Sequence, residues 1–270
     1  MSQPDPIGVY TAAKPPFLRR LTMEAFDAIP PGHQMFALLE LDVTDTLAAI
    51  RAQQEAGARV TLFAFVVQAI AATLAAHPSL NALRSGARIF TFEDVDVSVP
   101  IELKTKSGPF PHQIVIRRAQ DKTAAEIYGE IEAARSQQAN SGVAGGEDRW
   151  GRAMMRALLW VPKAARNAAL RQVMQAPRTV KRRSGTTFVT SVSRFATAGG
   201  FVVPYIGGPK ATAFALGSVL EKPRVVDGEI RVRSVLSLTV AFNHDLVDGG
   251  PAARFVRDLQ ARVEGAEGLA

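Results

Sequence analysis

No cysteine occurs anywhere in the 270 residues. Disulfides, cysteine-ligated zinc and an enzyme-borne thiol nucleophile are thereby excluded, so any sulfur chemistry must arrive with a substrate. Long apolar runs are missing as well. No stretch approaches the roughly 18 residues that a membrane-spanning helix needs, although a 47% hydrophobic content is ample for a core. The opening MSQPDPIGVYTAAKPP lacks the apolar segment of a secretory signal, which makes the cytoplasm the expected compartment. Aromatic residues are 7% of the chain and histidines number four. Finally, acids vanish between Arg152 and Arg183, a stretch carrying nine Lys and Arg. The whole chain is only +7, so the remainder is slightly acidic and the basicity is local.

What is present reads as alternating helices and strands, with no internal repeat. Residues 1–16 are a polar lead-in, expected to be flexible, and residues 17–270 are expected to form one domain with a basic insertion at about 139–183. Met35–Val43 alternates apolar positions as a strand does. Thr44 is placed as the N-cap of a helix that closes at Gly57. Val60–Ala76 is an apolar helix halted by His77-Pro78. Strand-like runs follow in Ile89–Leu103 and Ile114–Ile116, then a helix opening at Asp121. Residues 139–151 are Gly-rich and expected to be a loop. The basic stretch reads as two short helices divided at Pro162, and a β-rich portion starts at Gly185. Asp227-Gly228 between apolar runs marks a hairpin turn. A strand over Leu236–Phe242 and a closing helix complete an α/β arrangement.

The strand Leu236–Phe242 runs into Asn243-His244-Asp245-Leu246-Val247-Asp248-Gly249-Gly250. A histidine leaving a buried strand for a glycine-containing turn, with an aspartate four residues on, suits a general base held by local hydrogen bonds. The plainer alternative is a histidine that only ends the strand. His33, His77 and His112 have no partners at metal-ligand spacing, so no metal is assigned, and His77 before Pro78 reads as a helix-end residue.

His-x-x-x-Asp-Gly at a strand end, followed by Pro251-Ala252-Ala253-Arg254-Phe255, resembles the catalytic signature of the 2-oxoacid dehydrogenase acyltransferase family, whose fold and motif chloramphenicol acetyltransferase shares. Val60–Ala82, Glu93–Leu103, Gly185–Ser193, Gly217–Ile230 and Leu236–His244 are similar to the family in order and spacing. The resemblance implies a two-layer α/β sandwich of the chloramphenicol-acetyltransferase type, a homotrimer, and active sites at subunit interfaces. It implies direct acyl transfer between coenzyme A, a substrate here, and a thiol or similar acceptor. His244 would be the general base. Asp248 would hold the turn structurally through Arg19 or Arg20. Ser191 of a neighbouring subunit would donate to the oxyanion, with Thr190 and Ser193 as alternates. The partners implied are an acyl-CoA and a lipoyl or other carrier domain in trans, this chain being expected to carry no lipoyl group of its own.

Three departures bear on these expectations. The family commonly reads Asp-His-Arg where this chain has Asn243-His244-Asp245, an acid beside the base. About 16 residues precede the matching region, which is expected to leave no room for a swinging arm. The connection Ala139–Arg183 is longer and far more basic than its counterpart. At 100° per residue Arg152, Arg156, Lys163 and Arg166 share one helical face, opposite Met154, Ala157, Leu158, Val161 and Ala165. The preferred reading packs the apolar face on the domain and leaves the basic face in water. A membrane surface over Arg152–Arg183, an acidic carrier, or the phosphates of coenzyme A are alternatives. Nucleic acid is not expected, since no recognised fold for it accompanies the charge. Two other functional readings stay open: a trimeric scaffold that has lost the chemistry, and a membrane- or carrier-docked transferase with a non-lipoyl acceptor. The tail Gly265–Ala270 offers only Leu269 as an apolar plug, so a discrete trimer is expected rather than a cage.

Overall fold

The computed structural model describes residues 11–15, 17–29, 31–105, 108–141, 160–193 and 199–269. Eight strands are present among them: β1 (Gln34–Asp42), β2 (Ala82–Ser85), β3 (Arg88–Thr91), β4 (Val97–Thr105), β5 (Gly108–Ile116), β6 (Thr187–Ser191), β7 (Thr212–Val226) and β8 (Glu229–Asn243). Six of them form one sheet in the order β1-β8-β7-β6-β4-β5, and β2 and β3 form a separate hairpin. The β4–β6 and β6–β7 pairings are parallel and the others antiparallel.

Along β8, Leu236, Leu238, Val240 and Phe242 belong to the main core, while the alternate positions Ser237, Thr239 and Ala241 point to the other face and are also buried. The helices α2 (Thr44–Glu55), α3 (Leu62–Ala76), α4 (Ala124–Ser141) and α7 (Gly249–Glu264) cover the first face, which makes the two-layer sandwich. α3 is apolar on nearly every side because it lies inside, against α4 and α7. α7 buries Ala252, Phe255, Leu259 and Val263, a three-and-four spacing that lays one stripe on the core. Among the described residues no helix is long and apolar enough to cross a membrane.

Several local readings hold. His77 caps the C-terminus of α3 and bonds through Nε2 to Asp258 Oδ2 at 2.8 Å. Asp227 and Gly228 both take positive φ, at 52° and 81°, as the tight β7–β8 hairpin requires. Others are corrected. Thr44 is not the cap but the first residue of α2: its hydroxyl donates to Asp42 Oδ1 at 2.7 Å. The helix expected at Asp121 begins at Ala124, with Thr123 and Glu126 closing a capping box in which each side chain accepts the other's backbone N–H. That helix runs on to Ser141, into the stretch read as a loop. The remainder of that stretch, with Arg152 and Arg156, lies outside the described residues, as do residues 1–10 of the lead-in.

The basic segment is corrected most. Beyond Pro162 it forms α5 (Lys163–Met174) and α6 (Pro177–Ser184). The two described residues of its charged face, Lys163 and Arg166, are docked. Lys163 Nζ reaches Asp27 Oδ2 at 2.7 Å, and Arg166 holds Glu24 with two hydrogen bonds of 2.9 and 2.7 Å. Both acids lie on α1 (Phe17–Ala28), so α1 and α5 are joined by charge. It is apolar Trp160, just before α5, that stands 90% exposed. At the other end, Arg117 donates to buried Asp96 and to the carbonyls of Lys181 and Arg182, fixing α6 against the sheet. Gly185 follows at φ 65°, and a Cβ there would sit 2.3 Å from the carbonyl oxygen of Asp96, so only glycine lets β6 start where it does.

Candidate active site

β8 delivers His244 to solvent. Asn243, the last strand residue, is buried and its N–H donates to Ala211 O at 2.9 Å. The N–H groups of Leu246 and Val247 both turn back to Asn243 O, at 2.9 and 3.0 Å, which folds residues 243–247 into a tight turn. α7 begins immediately after. Gly249 and Gly250 are its first residues and neither has a positive φ, so the turn does not depend on glycine there.

The His244 side chain is 47% exposed, with Nδ1 3.7 Å from Asp248 Oδ1. That distance is beyond a hydrogen bond. Asp248 itself is 87% exposed, and among the described residues no arginine pairs with it. Arg19 and Arg20 lie exposed on α1 and do not reach it. The expected clamp between Asp248 and one of those arginines is therefore not formed within this chain.

Asp245, the acid beside the base, is held firmly. Its Oδ1 meets His33 Nδ1 at 2.9 Å, and its Oδ2 accepts from Arg84 Nη1 at 2.7 Å. The hydrogen bond from His33 and the nearby Arg84 guanidinium hold its carboxyl below the usual carboxylate range, against the opposing effect of burial. The sequence flagged Asp245 as a departure but gave no sign of its partners. The available signal was the acid itself, since a carboxylate beside a candidate base at a strand end calls for a counter-ion.

Ser191 ends β6, half-buried. Its Oγ lies 2.8 Å from Ser193 Oγ and accepts the Ser193 N–H at 3.2 Å. Thr190 projects from the opposite face of β6. The sheet register separates Ser191 from His244. Ser191 pairs with Leu216 and Leu216 with Leu238, six residues short of His244. At about 3.4 Å per residue that is roughly 20 Å along the strands, and β8 lies two strands over from β6. A single chain does not bring the two side chains together. A cavity of about 320 Å³ lined by Ile29, Arg84, Arg171, Met174, Gly208 and Pro209 lies beside this region, but neither His244 nor Ser191 lines it.

His33, His77 and His112 occupy three different places: beside Asp245, at the end of α3, and within β5. Among the described residues no group of three or more His, Asp or Glu could hold a metal ion.

The turn after β8 thus carries a half-exposed imidazole at one end of a two-layer sandwich. The chain belongs to the family described as 2-oxoacid dehydrogenases acyltransferase (catalytic domain), whose model matches residues 25–150 and 165–270. It is 30% identical over 232 residues to the lipoamide acyltransferase component of the branched-chain alpha-keto acid dehydrogenase complex of Pseudomonas aeruginosa, covering 83% of this chain and 45% of that protein. It is 26% identical over 246 residues to the dihydrolipoyllysine-residue acetyltransferase component of the acetoin cleaving system of Bacillus subtilis, covering 88% of this chain and 51% of that one. The chain thus spans about half the length of the curated relatives it matches. The fold is shared with the crystal structure of a dihydrolipoamide acetyltransferase from Azotobacter vinelandii, at a TM-score of 0.71 and 15% identity over 100% of this chain and 98% of that one. A probable dihydrolipoamide acetyltransferase from Listeria monocytogenes gives 0.68 and 20%, with 96% of each chain covered.

Proposed function

We propose that this chain is a coenzyme A-dependent acyltransferase that moves an acyl group between coenzyme A and a second thiol by direct transfer, as a homotrimer in the cytoplasm. The second thiol belongs to a lipoyl or other carrier supplied in trans. His244 Nε2 takes the proton from the incoming thiol. The thiolate sulfur attacks the thioester carbonyl carbon, and the carbonyl oxygen becomes an oxyanion to which the Ser191 hydroxyl of a neighbouring subunit donates. Collapse re-forms the carbonyl and breaks the old C–S bond, and the departing thiolate recovers the proton from His244. General base catalysis contributes about 10²–10⁴ in rate, and one oxyanion donor about 10²–10³. Asp248 lies 3.7 Å from Nδ1, on the side of the ring away from the proposed proton transfer at Nε2.

The observation that carries this reading is the His244 turn, which offers a half-exposed imidazole in a chain of an acyltransferase family. The spacing of Ser191 and His244 supports a site completed by a second subunit. The scaffold reading gains nothing from Asp245, whose carboxylate is engaged by His33 and Arg84. The membrane reading is weakened because Lys163 and Arg166 are paired with acids of α1.

The test is transfer from acetyl-CoA and longer acyl-CoAs to dihydrolipoamide and small thiols. His244→Ala should lower turnover by about 10²–10⁴ with an unchanged melting temperature. Full transfer by that variant overturns the mechanism.

A further inference from the structure

The turn that carries His244 is tied to two distant segments through one carboxylate. The His244 N–H donates to His33 O at 2.7 Å, and the His33 ring meets Asp245 Oδ1 at 2.9 Å. Two consecutive residues of the turn are therefore bonded to the backbone and side chain of one residue just ahead of β1. The preceding residue, Gly32, also packs against the turn, its Cβ position 3.4 Å from both Asn243 Oδ1 and Asp245 Oδ2, an ordinary contact distance. Asn243 Oδ1 in turn accepts the Asp245 N–H at 3.0 Å. The second tie runs to the β2–β3 hairpin. Arg84 Nη1 donates to Asp245 Oδ2 at 2.7 Å, while Arg84 Nε donates to Gly86 O at 3.2 Å, which fixes the guanidinium orientation. The Arg84 N–H is itself anchored to Pro209 O, at 2.8 Å.

We infer that Asp245 is the positioning residue of this active site: its carboxylate, bridging His33 and Arg84, fixes the turn that aims His244. The inference rests on the proposed role of His244. Each exposed charge pair alone contributes little, but here the two oxygens of a 25%-exposed carboxylate brace one turn from two sides. Asp248 makes no such tie among the described residues, being 87% exposed. Of the two acids flanking the base, Asp245 is thus the one that holds the turn within this chain.

Two measurements test it. Hydrogen exchange requires no substrate. In Asp245→Ala the amides of residues 243–247 should exchange roughly tenfold faster or more, the loss expected for charge-assisted bonds, with β7 and the middle of α7 unchanged. Arg84→Met should do the same in part, and the double variant should add little to Asp245→Ala. Unchanged exchange overturns the inference whatever His244 does. The second measurement is steady-state transfer from acetyl-CoA to dihydrolipoamide. Asp245→Ala should lower kcat by roughly 10- to 100-fold, the scale of a misplaced catalytic group, with KM for both substrates within about twofold, and Asp245→Asn should recover part of the loss. His244→Ala is run alongside. If His244→Ala is inactive and Asp245→Ala keeps its kcat, positioning fails and the base assignment stands. If His244→Ala is fully active, the base assignment fails first.

Discussion

Lys210 offers a sharp test of the interior. It sits two residues before the central sheet resumes at Thr212, buried, with Nζ donating to the carbonyls of Ser184 and Thr187. Removal from water pulls its pKa down from 10.5 to about 7. The folded-state pKa is therefore the lower one. Between about pH 7 and pH 10 the unfolded chain holds a proton that the folded chain has released. Stability rises with pH wherever the unfolded state binds more protons, so this lysine makes the fold more stable as pH climbs through that window. Below about pH 7 both states are protonated and the destabilisation is complete. The full shift corresponds to about 5 kcal/mol at 1.36 kcal/mol per unit. The two carbonyl acceptors favour the ammonium, which makes that figure an upper bound. The perturbation is Lys210→Met, and the assay is urea unfolding of both proteins at pH 6.5, 8 and 9.5, at one fixed chain concentration because an oligomer's stability depends on it. Wild type should gain several kcal/mol on the variant across the series. Parallel pH curves for the two proteins would refute the reasoning.

The remaining expectations concern α1 and assembly. Arg166→Met leaves the Glu24 carboxylate, only 17% exposed, without its bidentate partner, and should lower stability by roughly 2–4 kcal/mol. Adding Glu24→Met should restore most of it, as read by thermal melts of the single and double variants. Leu269 is buried in the core of its own chain, which removes it as an inter-trimer plug. Light scattering tests the proposed discrete trimer, which should give a mass near three chains, and a megadalton particle would contradict it.

The fold was legible wherever neighbouring residues carry the signal. The apolar run of α3, the turn at Asp227-Gly228 and the alternation of Met35–Val43 in β1 are periodic or local patterns, and each stands in the structure close to where the sequence placed it. Thr44 was misplaced because Asp42, two residues back, competes for its hydroxyl. The basic segment was misread for a different reason. Helical periodicity shows which charges share a face, but not that Glu24 and Asp27, more than 130 residues earlier, lie opposite them. The candidate site divides the same way. His244 was visible in its motif. The bracing of its turn was not, because Arg84 and His33 lie 161 and 212 residues from Asp245 and nothing local encodes their meeting.

Ser191 and His244 stand roughly 20 Å apart along the sheet of one chain, and under the proposed mechanism that distance would make the site a matter of inheritance between subunits. On the proposed trimer, a chain lacking His244 still lends its Ser191 to a neighbour, and a chain lacking Ser191 still lends its His244. Two individually inactive alleles expressed together should therefore complement. With random mixing, about a quarter of the interfaces of a three-fold ring would carry both intact groups. A chain defective in both would do the reverse, silencing the site on either side of it, so that one damaged copy of the gene would depress activity beyond its share of the protein.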